Sequence, residues 1–252
     1  MWHLWRYVHR QARFFTYRWR LYRAAARYLP LFHGRVLDVG AGHQPFRAFL
    51  PADTDYLALD VVPMTGNQVV ASALALPFRE ATFEGVLCTE VLEHVPEPAQ
   101  ALAEIYRVLK PGGRAYITVP MTWGLHYEPH DYYRFTRYGI AYLARRVGLE
   151  VQEIGQIGGL FTTFLARLED VVGALVFKVL FPVRVLWGPR WRVVLASWLL
   201  LPVVVLLDGV ASVLDRVVPW ARQDALCWVL LAVRPVEEAP THGRAHPRSP
   251  DG

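Results

Sequence analysis

The run Val36-Leu37-Asp38-Val39-Gly40-Ala41-Gly42 limits the fold more than any other stretch of this chain. An apolar strand runs into a glycine turn, where the backbone can approach a ligand because no side chain intervenes. About twenty residues beyond the glycines, Tyr56 to Asp60 forms a second apolar run that ends in an acid, where a carboxylate can accept both hydroxyls of a ribose. Further apolar runs, Gly85 to Thr89 and Ala115 to Val119, extend the series begun by Arg35 to Val39 and Tyr56 to Val62. Between the last two, Ala99 to Leu109 has helical periodicity and meets Lys110-Pro111-Gly112-Gly113, where proline and paired glycines stop a helix and turn the chain. This alternation predicts an α/β domain with a parallel sheet, and 252 residues suffice for one such core with additions.

The glycine turn alone also suits a nicotinamide-binding dehydrogenase. Against that stand Gln44, where a third, packing glycine is frequent, and the run Glu90-Val91-Leu92-Glu93-His94-Val95 after the Gly85 to Thr89 strand. With Leu76-Pro77-Phe78 and Leu109-Lys110-Pro111-Gly112-Gly113 following in the same order, the series resembles the class I S-adenosylmethionine-dependent methyltransferases, in particular the methyltransferase type 11 group. The resemblance covers residues 34–159 plus the last strand. It implies a Rossmann-like sheet with helices on both faces and S-adenosyl-L-methionine as cofactor. By it, Asp38, Gly40, Ala41 and Gly42 line the methionine and ribose portion, and Asp60 holds the ribose hydroxyls. Adenine lies beside Val61, Ser72 and Ala73 occupy the adenine loop, and Cys88 and Thr89 end the strand beneath the methionine moiety. Ser72 departs from the family's usual aspartate.

Methyl transfer needs in-line positioning and, for a hydroxyl acceptor, a base. The segment from Trp123 to Thr136 gathers His126, His130, Glu128, Asp131 and Arg134 after the fifth strand, at the end of the sheet where α/β ligands bind. It resembles a segment found in methyltransferases associated with surface polysaccharide synthesis. His126 or His130 is expected as general base, with Asp131 orienting a histidine and Arg134 holding an anionic part of the acceptor. The competing structural roles are a helix cap for His130-Asp131 and a loop-fixing Arg134–Asp131 pair. Acids and histidines show no recognisable ligand spacing, so no metal is expected. Cys88 and Cys227, far apart, suit neither a disulfide framework nor a zinc site and fit a reducing cytoplasm.

Charge and hydropathy bear on the surroundings. The net charge of +5 is concentrated at the start, where residues 1–37 hold eight arginines and no acid. Trp2, Trp5, Val8, Ala12, Phe15, Trp19, Tyr22, Ala26 and Leu29 recur at helical steps with most arginines opposite. Such a helix can pack on its own domain or lie at a membrane surface. Phosphates of nucleic acid would also attract the arginines, but tryptophan and leucine on the other side favour an interface. Between the last two strands, Glu150 to Ile157 and Ala225 to Val233, two apolar arms at 171–187 and 193–214 flank Gly188-Pro189-Arg190-Trp191-Arg192. An out-and-back helical hairpin is expected, lying in one leaflet because its basic turn argues against full crossing. The expected organisation is therefore residues 1–33, a basic amphipathic helix; 34–159, the methyltransferase core; 160–222, the membrane-associated insertion; 223–235, the last core strand; and 236–252, a disordered tail. The function expected is O-methylation of a lipid-linked or amphipathic acceptor at the cytoplasmic face of a membrane, by a peripheral or monotopic protein. The alternatives are a soluble small-molecule methyltransferase whose insertion makes a dimer interface, and a nucleic-acid-binding protein.

Overall fold

The computed structural model describes residues 15–169, 171 and 191–236. Residues 1–14 of the N-terminal segment, 172–190 of the insertion's first arm and turn, and 237–252 of the tail lie outside the described residues. Arg35–Val39 (β1), Asp55–Asp60 (β2), Val69–Val70 (β3), Phe83–Thr89 (β4), Leu109–Pro120 (β5), Glu150–Ile157 (β6) and Cys227–Val233 (β7) form one sheet in the order β3-β2-β1-β4-β5-β7-β6. All neighbours run parallel except β7, which lies antiparallel between β5 and β6. The chain builds outward from β1 to β3 and then restarts at β4 on the other side of β1. That reversal opens a crevice at the carboxyl ends of β1 and β4.

The middle strands are apolar at nearly every position because both faces are covered. Leu37, Val39, Val86, Cys88, Ile117 and Leu230 pack with Ala101, Leu102 and Ile105 of Pro98–Val108 (α2) and with Ile140 and Ala144 of Arg137–Arg146 (α3). Val36, Leu87, Tyr116, Val229 and Leu231 point the other way, toward Tyr17, Leu21, Ala25 and Tyr28 of Phe15–Tyr28 (α1). Thr136 caps α3, its Oγ1 accepting the Gly139 N–H at 3.0 Å. The Lys110 to Gly113 run does not separate helix from strand as expected. β5 begins at Leu109, and the four residues bulge out between the Phe83–Leu109 and Gly85–Arg114 pairs.

The N-terminal segment from Phe15 packs on its own domain, with Tyr22 and Leu29 of the face hydropathy suggested against the core but Trp19 and Ala26 turned outward. Tyr17, Leu21, Ala25 and Tyr28 are buried, whereas Trp19 is 53% exposed and Ala26 is also exposed. Tyrosine is the reason. Its ring can be buried when its hydroxyl finds a partner, and here Tyr17 donates to Glu90 and Tyr28 to Glu153.

Of the insertion, residues 160–169 and Trp191–Val217 (α4) are helical. α4 holds Pro202 within it, and no helix among the described residues is long and apolar enough to cross a membrane. Its polar face turns inward. Asp208 takes the Arg20 guanidinium at 2.7 Å, and Arg20 also reaches Ser212 Oγ at 2.6 Å. Asp215 accepts from Gly159 N at 2.9 Å, Phe161 N at 2.9 Å and Thr162 N at 3.2 Å, and from Thr162 Oγ1 at 2.5 Å. It thus caps the helical segment 160–169 from another helix, where the exposed N–H groups attract an anion. Gly159 is required beside it, since a Cβ there would stand 2.6 Å from Asp215 Cγ.

Removing that carboxylate leaves several buried donors unpaired, at roughly 1–3 kcal/mol each, with partial relief as the segment relaxes. At about 2–4 °C per kcal/mol for a domain of this size, Asp215→Ala should lower Tm by roughly 6–12 °C and Asp215→Asn by about half that. Calorimetry of the two variants checks it; an unchanged Tm in Asp215→Ala would refute the capping role.

Candidate active site

The glycine turn follows β1 directly. Gly40 and Gly42 have φ of +69° and +52°, in the left-handed region that glycine enters without strain. A Cβ at Gly40 would lie 2.4 Å from Val91 Cγ2, so the turn is packed against the segment after β4. At Gly42 a Cβ would meet nothing within 4 Å, so the turn is open on its outer side. Ala41 is buried, its N–H donating to Leu59 O at 3.0 Å. Gln44 takes over the work expected of a third glycine: it adopts φ +57° itself, and its side-chain amide donates to Asn67 Oδ1 at 3.1 Å.

Asp60, at the end of β2, holds this turn. Its Oδ2 accepts the Gly42 N–H at 2.9 Å and its Oδ1 the Val62 N–H at 3.0 Å. Next to it Val61 is 68% exposed, an apolar edge with no covering side chain. Ser72 Oγ accepts the Leu74 N–H at 3.1 Å, Ala73 packs against the core, and the Ala71 N–H ties this loop to Asp60 O at 3.0 Å. Cys88 and Thr89 are buried at the end of β4, and burial pushes the Cys88 thiol up, which disfavours the thiolate.

Asp38, expected to line the methionine and ribose portion, has a buried side chain. It is fully buried beneath the turn, with Oδ2 accepting the Tyr56 hydroxyl at 2.6 Å and Oδ1 unpartnered. Burial, and to a lesser degree the negative charge of Asp60, push its carboxyl up to about 7 against the lowering effect of Tyr56. An acid whose pKa is higher folded than unfolded binds its proton more tightly when folded. Its contribution to stability is therefore complete below the ordinary value of 3.8 and is lost as pH rises toward about 7. Asp38→Asn keeps an oxygen for Tyr56 without the charge. Thermal scans should show the variant losing less stability than the parent between pH 5 and pH 8, and parallel profiles would refute a buried, titrating Asp38.

The loops after β4 and β5 meet because these strands are parallel neighbours. Glu90 takes a left-handed conformation, φ +54°, and its carboxylate accepts from Tyr17, from Thr118 Oγ1 at 2.9 Å and from Cys227 Sγ at 3.3 Å. Such backbone strain outside glycine persists where surrounding contacts hold it, often at functional sites. Three residues on, Glu93 is fully buried and neither of its oxygens has a hydrogen-bond partner. His94 and His126 approach it from the two loops, their Nε2 atoms 3.1 Å apart and 3.7 and 4.0 Å from Glu93 Oε1. Burial, reinforced by Glu90, raises the Glu93 carboxyl well above its usual range, and burial lowers His126.

Of the residues expected to act on the acceptor, His126 alone joins this cluster. His130 presents its carbonyl to His94 Nδ1 at 2.6 Å, while its own ring is exposed and reaches the Tyr132 hydroxyl at 3.0 Å. Asp131 Oδ2 accepts the His126 N–H at 2.9 Å. Arg134, expected to hold an anionic part of the acceptor, donates to both Asp131 oxygens at 2.6 and 2.8 Å and to the carbonyls of Trp123, Gly124 and Tyr133. Those bonds consume its fork, and its guanidinium in turn holds Asp131 far below the usual carboxylate range. Glu93 and His94 were missed as site residues, although the adjacent acid and histidine at the end of a central strand were legible. With His126, 32 residues beyond His94, they offer three ligand atoms within 4.8 Å of one another, a grouping that spacing along the chain did not reveal.

Residues 37–117 match the family described as "Methyltransferase domain". An uncharacterized methyltransferase of Mycobacterium avium (strain 104) is 37% identical over 102 residues, which cover 35% of this chain and 40% of that protein. The ubiquinone/menaquinone biosynthesis C-methyltransferase UbiE of Desulfotalea psychrophila is 37% identical over 92 residues, 36% of this chain and 37% of its own. The chain thus spans about 40% of the length of the curated relatives it matches. Among solved structures, the [4+2]-cyclase SpnF superposes with a TM-score of 0.54 at 20% identity, covering 86% of this chain and 80% of that one. The 1,6-didemethyltoxoflavin-N1-methyltransferase of Burkholderia thailandensis, with bound S-adenosylhomocysteine, gives 0.51 at 19%, covering 84% and 77%. Those two likenesses speak for the fold, and a fold that holds both a cyclase and an N-methyltransferase does not by itself name the chemistry.

Proposed function

We propose that this chain, which carries a class I S-adenosylmethionine-dependent methyltransferase domain, methylates a hydroxyl of an amphipathic or lipid-linked acceptor at a membrane surface. The observation that carries the reading is the contact of two parts across the crevice: a glycine turn clamped by Asp60, and, packed on it through Val91, the segment that bears Glu93 and His94. The first part fits the cofactor. Asp60 sits where ribose hydroxyls can be accepted, Gly42 leaves open space, and the exposed Val61 offers an apolar edge for a base. S-adenosylmethionine supplies an activated methyl group when bound.

What remains for the protein is to place an acceptor atom and manage its proton. His94 Nδ1 lies 2.6 Å from the His130 carbonyl and His126 Nδ1 lies 3.1 Å from the Gly124 carbonyl, so both rings carry hydrogen at Nδ1 and, when neutral, present bare Nε2 atoms. A hydroxyl proton has a receiver there, which favours oxygen as the methylated atom. Asp131, clasped by Arg134, fixes the backbone at His126 and is a positioning residue.

The membrane part rests on α4. Its polar side faces the domain, whereas Leu206, Val210, Val213 and Val217, one helical stripe, are 67%, 50%, 54% and 64% exposed. An outward apolar row of this kind marks a lipid or protein interface. On α1, Arg20 is taken up by Asp208, which removes one basic group that a phosphate backbone would use.

Incubating the full chain and isotopically labelled methyl donor with a lipid extract should yield a labelled lipid by mass spectrometry, with turnover higher on anionic vesicles than in buffer. Label confined to water-soluble acceptors, with a dimer in solution, would favour the soluble small-molecule reading, in which the same stripe is a subunit interface.

A further inference from the structure

The Glu93, His94 and His126 side chains pose an electrostatic problem that the methyltransferase reading leaves open. Carbonyl oxygens only accept, so the hydrogens of both imidazoles are fixed at Nδ1 by His130 O and Gly124 O. In their neutral forms the two rings then turn bare Nε2 lone pairs toward each other at 3.1 Å. Glu93 Oε1, fully buried and without a hydrogen-bond partner, lies 3.7 and 4.0 Å from the same two nitrogens. A buried carboxylate left unpaired is costly, and three electron-pair donors converging on one point call for a cation among them.

We propose that Glu93 Oε1, His94 Nε2 and His126 Nε2 form a binding site for a divalent transition-metal ion of the zinc, cobalt or ferrous kind. Bonds of about 2.0–2.1 Å to such an ion set tetrahedral ligand atoms roughly 3.3 Å apart. The two nitrogens already meet that spacing, and Glu93 needs a shift of well under an ångström. Two imidazoles with one carboxylate select these metals over magnesium or calcium, which take oxygen ligands. Both rings also have the support that metal-bound histidines need, a carbonyl on the far nitrogen that fixes tautomer and orientation, and at His126 the Asp131 carboxylate lies 3.4 Å from the same Nδ1. Glu90 is excluded as a ligand because its oxygens are committed to Tyr17, Thr118 and Cys227.

Three protein ligands leave a coordination position open. The histidine side chains remain 20% and 21% exposed, so that position is reachable from the crevice. If the methyltransferase reading holds, the ion would seat the acceptor oxygen and make its proton easier to lose. His126 would then be a ligand and not the base.

The test uses the untagged full chain, stripped with a chelator and titrated with Co²⁺ by visible absorption, then competed with Zn²⁺. One equivalent of Co²⁺ should bind with the intense visible bands of a low-coordinate site, and Zn²⁺ should displace it. Glu93→Gln, His94→Ala and His126→Ala should each weaken binding at least 30-fold, while His33→Ala, at an exposed histidine before β1, should change it less than twofold. Should Glu93→Gln fail to fold, the two histidine variants carry the test. Absence of stoichiometric uptake, or uptake indifferent to all three substitutions, overturns the site and leaves a proton as the shared cation. S-adenosylmethionine binding, measured calorimetrically on the same stripped protein, separates the two readings: donor binding without a cobalt site defeats the metal alone, and a cobalt site without donor binding defeats the methyltransferase alone.

Discussion

Asp60→Ala should weaken S-adenosylmethionine binding by about 100-fold or more, the largest loss of donor affinity expected from any single substitution in the turn region. Two causes combine. The carboxylate offers two oxygens to hydroxyls, and hydrogen bonds to a charged group contribute roughly 1.5–3 kcal/mol each, so losing a pair corresponds to about 10²–10⁴ in affinity. The same carboxylate holds Gly42 N at 2.9 Å and Val62 N at 3.0 Å, so the turn loses its clamp along with its ligand contact. Asp60→Asn should fall between, about 10- to 100-fold, since one oxygen remains while the amide N–H₂ faces donors. Isothermal titration with donor and with S-adenosylhomocysteine measures both variants. Affinity within threefold of the parent in Asp60→Ala would remove the basis for a ribose-binding acid at the end of β2.

How far the sequence foretold this arrangement depends on the distance over which each feature is decided. β1, β4 and β7 could be read because central strands of a covered sheet are locally apolar at nearly every position, and the Gly40–Gly42 turn followed because the conformation is glycine's own. Gln44 shows the limit: its left-handed backbone is stabilised by Asn67 from another loop, which local sequence cannot reveal. α1 was legible only in part, for a related reason. Periodicity identified a helix, but its inward face was chosen by Glu90 and Glu153, distant acids that receive the Tyr17 and Tyr28 hydroxyls. The Arg134–Asp131 pair was legible as a loop-fixing alternative, but the reach of Arg134 to three backbone carbonyls was not, because carbonyls carry no sequence signal. The Glu93, His94 and His126 cluster is the clearest case. No ligand spacing exists along the chain, since the loops after β4 and β5 come together only through the parallel pairing of those strands.

That cluster also sets the largest expected effect on turnover. In His126→Ala the rate of methyl transfer should fall by about 10²–10⁴, the range typical for loss of a group that handles a proton at a reacting oxygen, while donor affinity stays within about threefold. The split follows from the geometry. His126 lies in the loop after β5, whereas the donor turn and Asp60 belong to β1 and β2, and the two regions meet through Gly40 and Val91, which the substitution leaves intact. A base and a metal ligand predict the same loss, because His126 is the proton receiver in the one reading and one of three ligands in the other. Arg134→Lys supplies the contrasting case: charge is kept, but a lysine cannot reproduce the forked contacts to Asp131 and the loop carbonyls. It should lower turnover through looser placement of His126, by about tenfold, with a partial recovery at high acceptor concentration that His126→Ala lacks. Equal losses of donor affinity and turnover in His126→Ala would mean that the two halves of the crevice do not act separately, and the assignment of the cluster to the acceptor would fail.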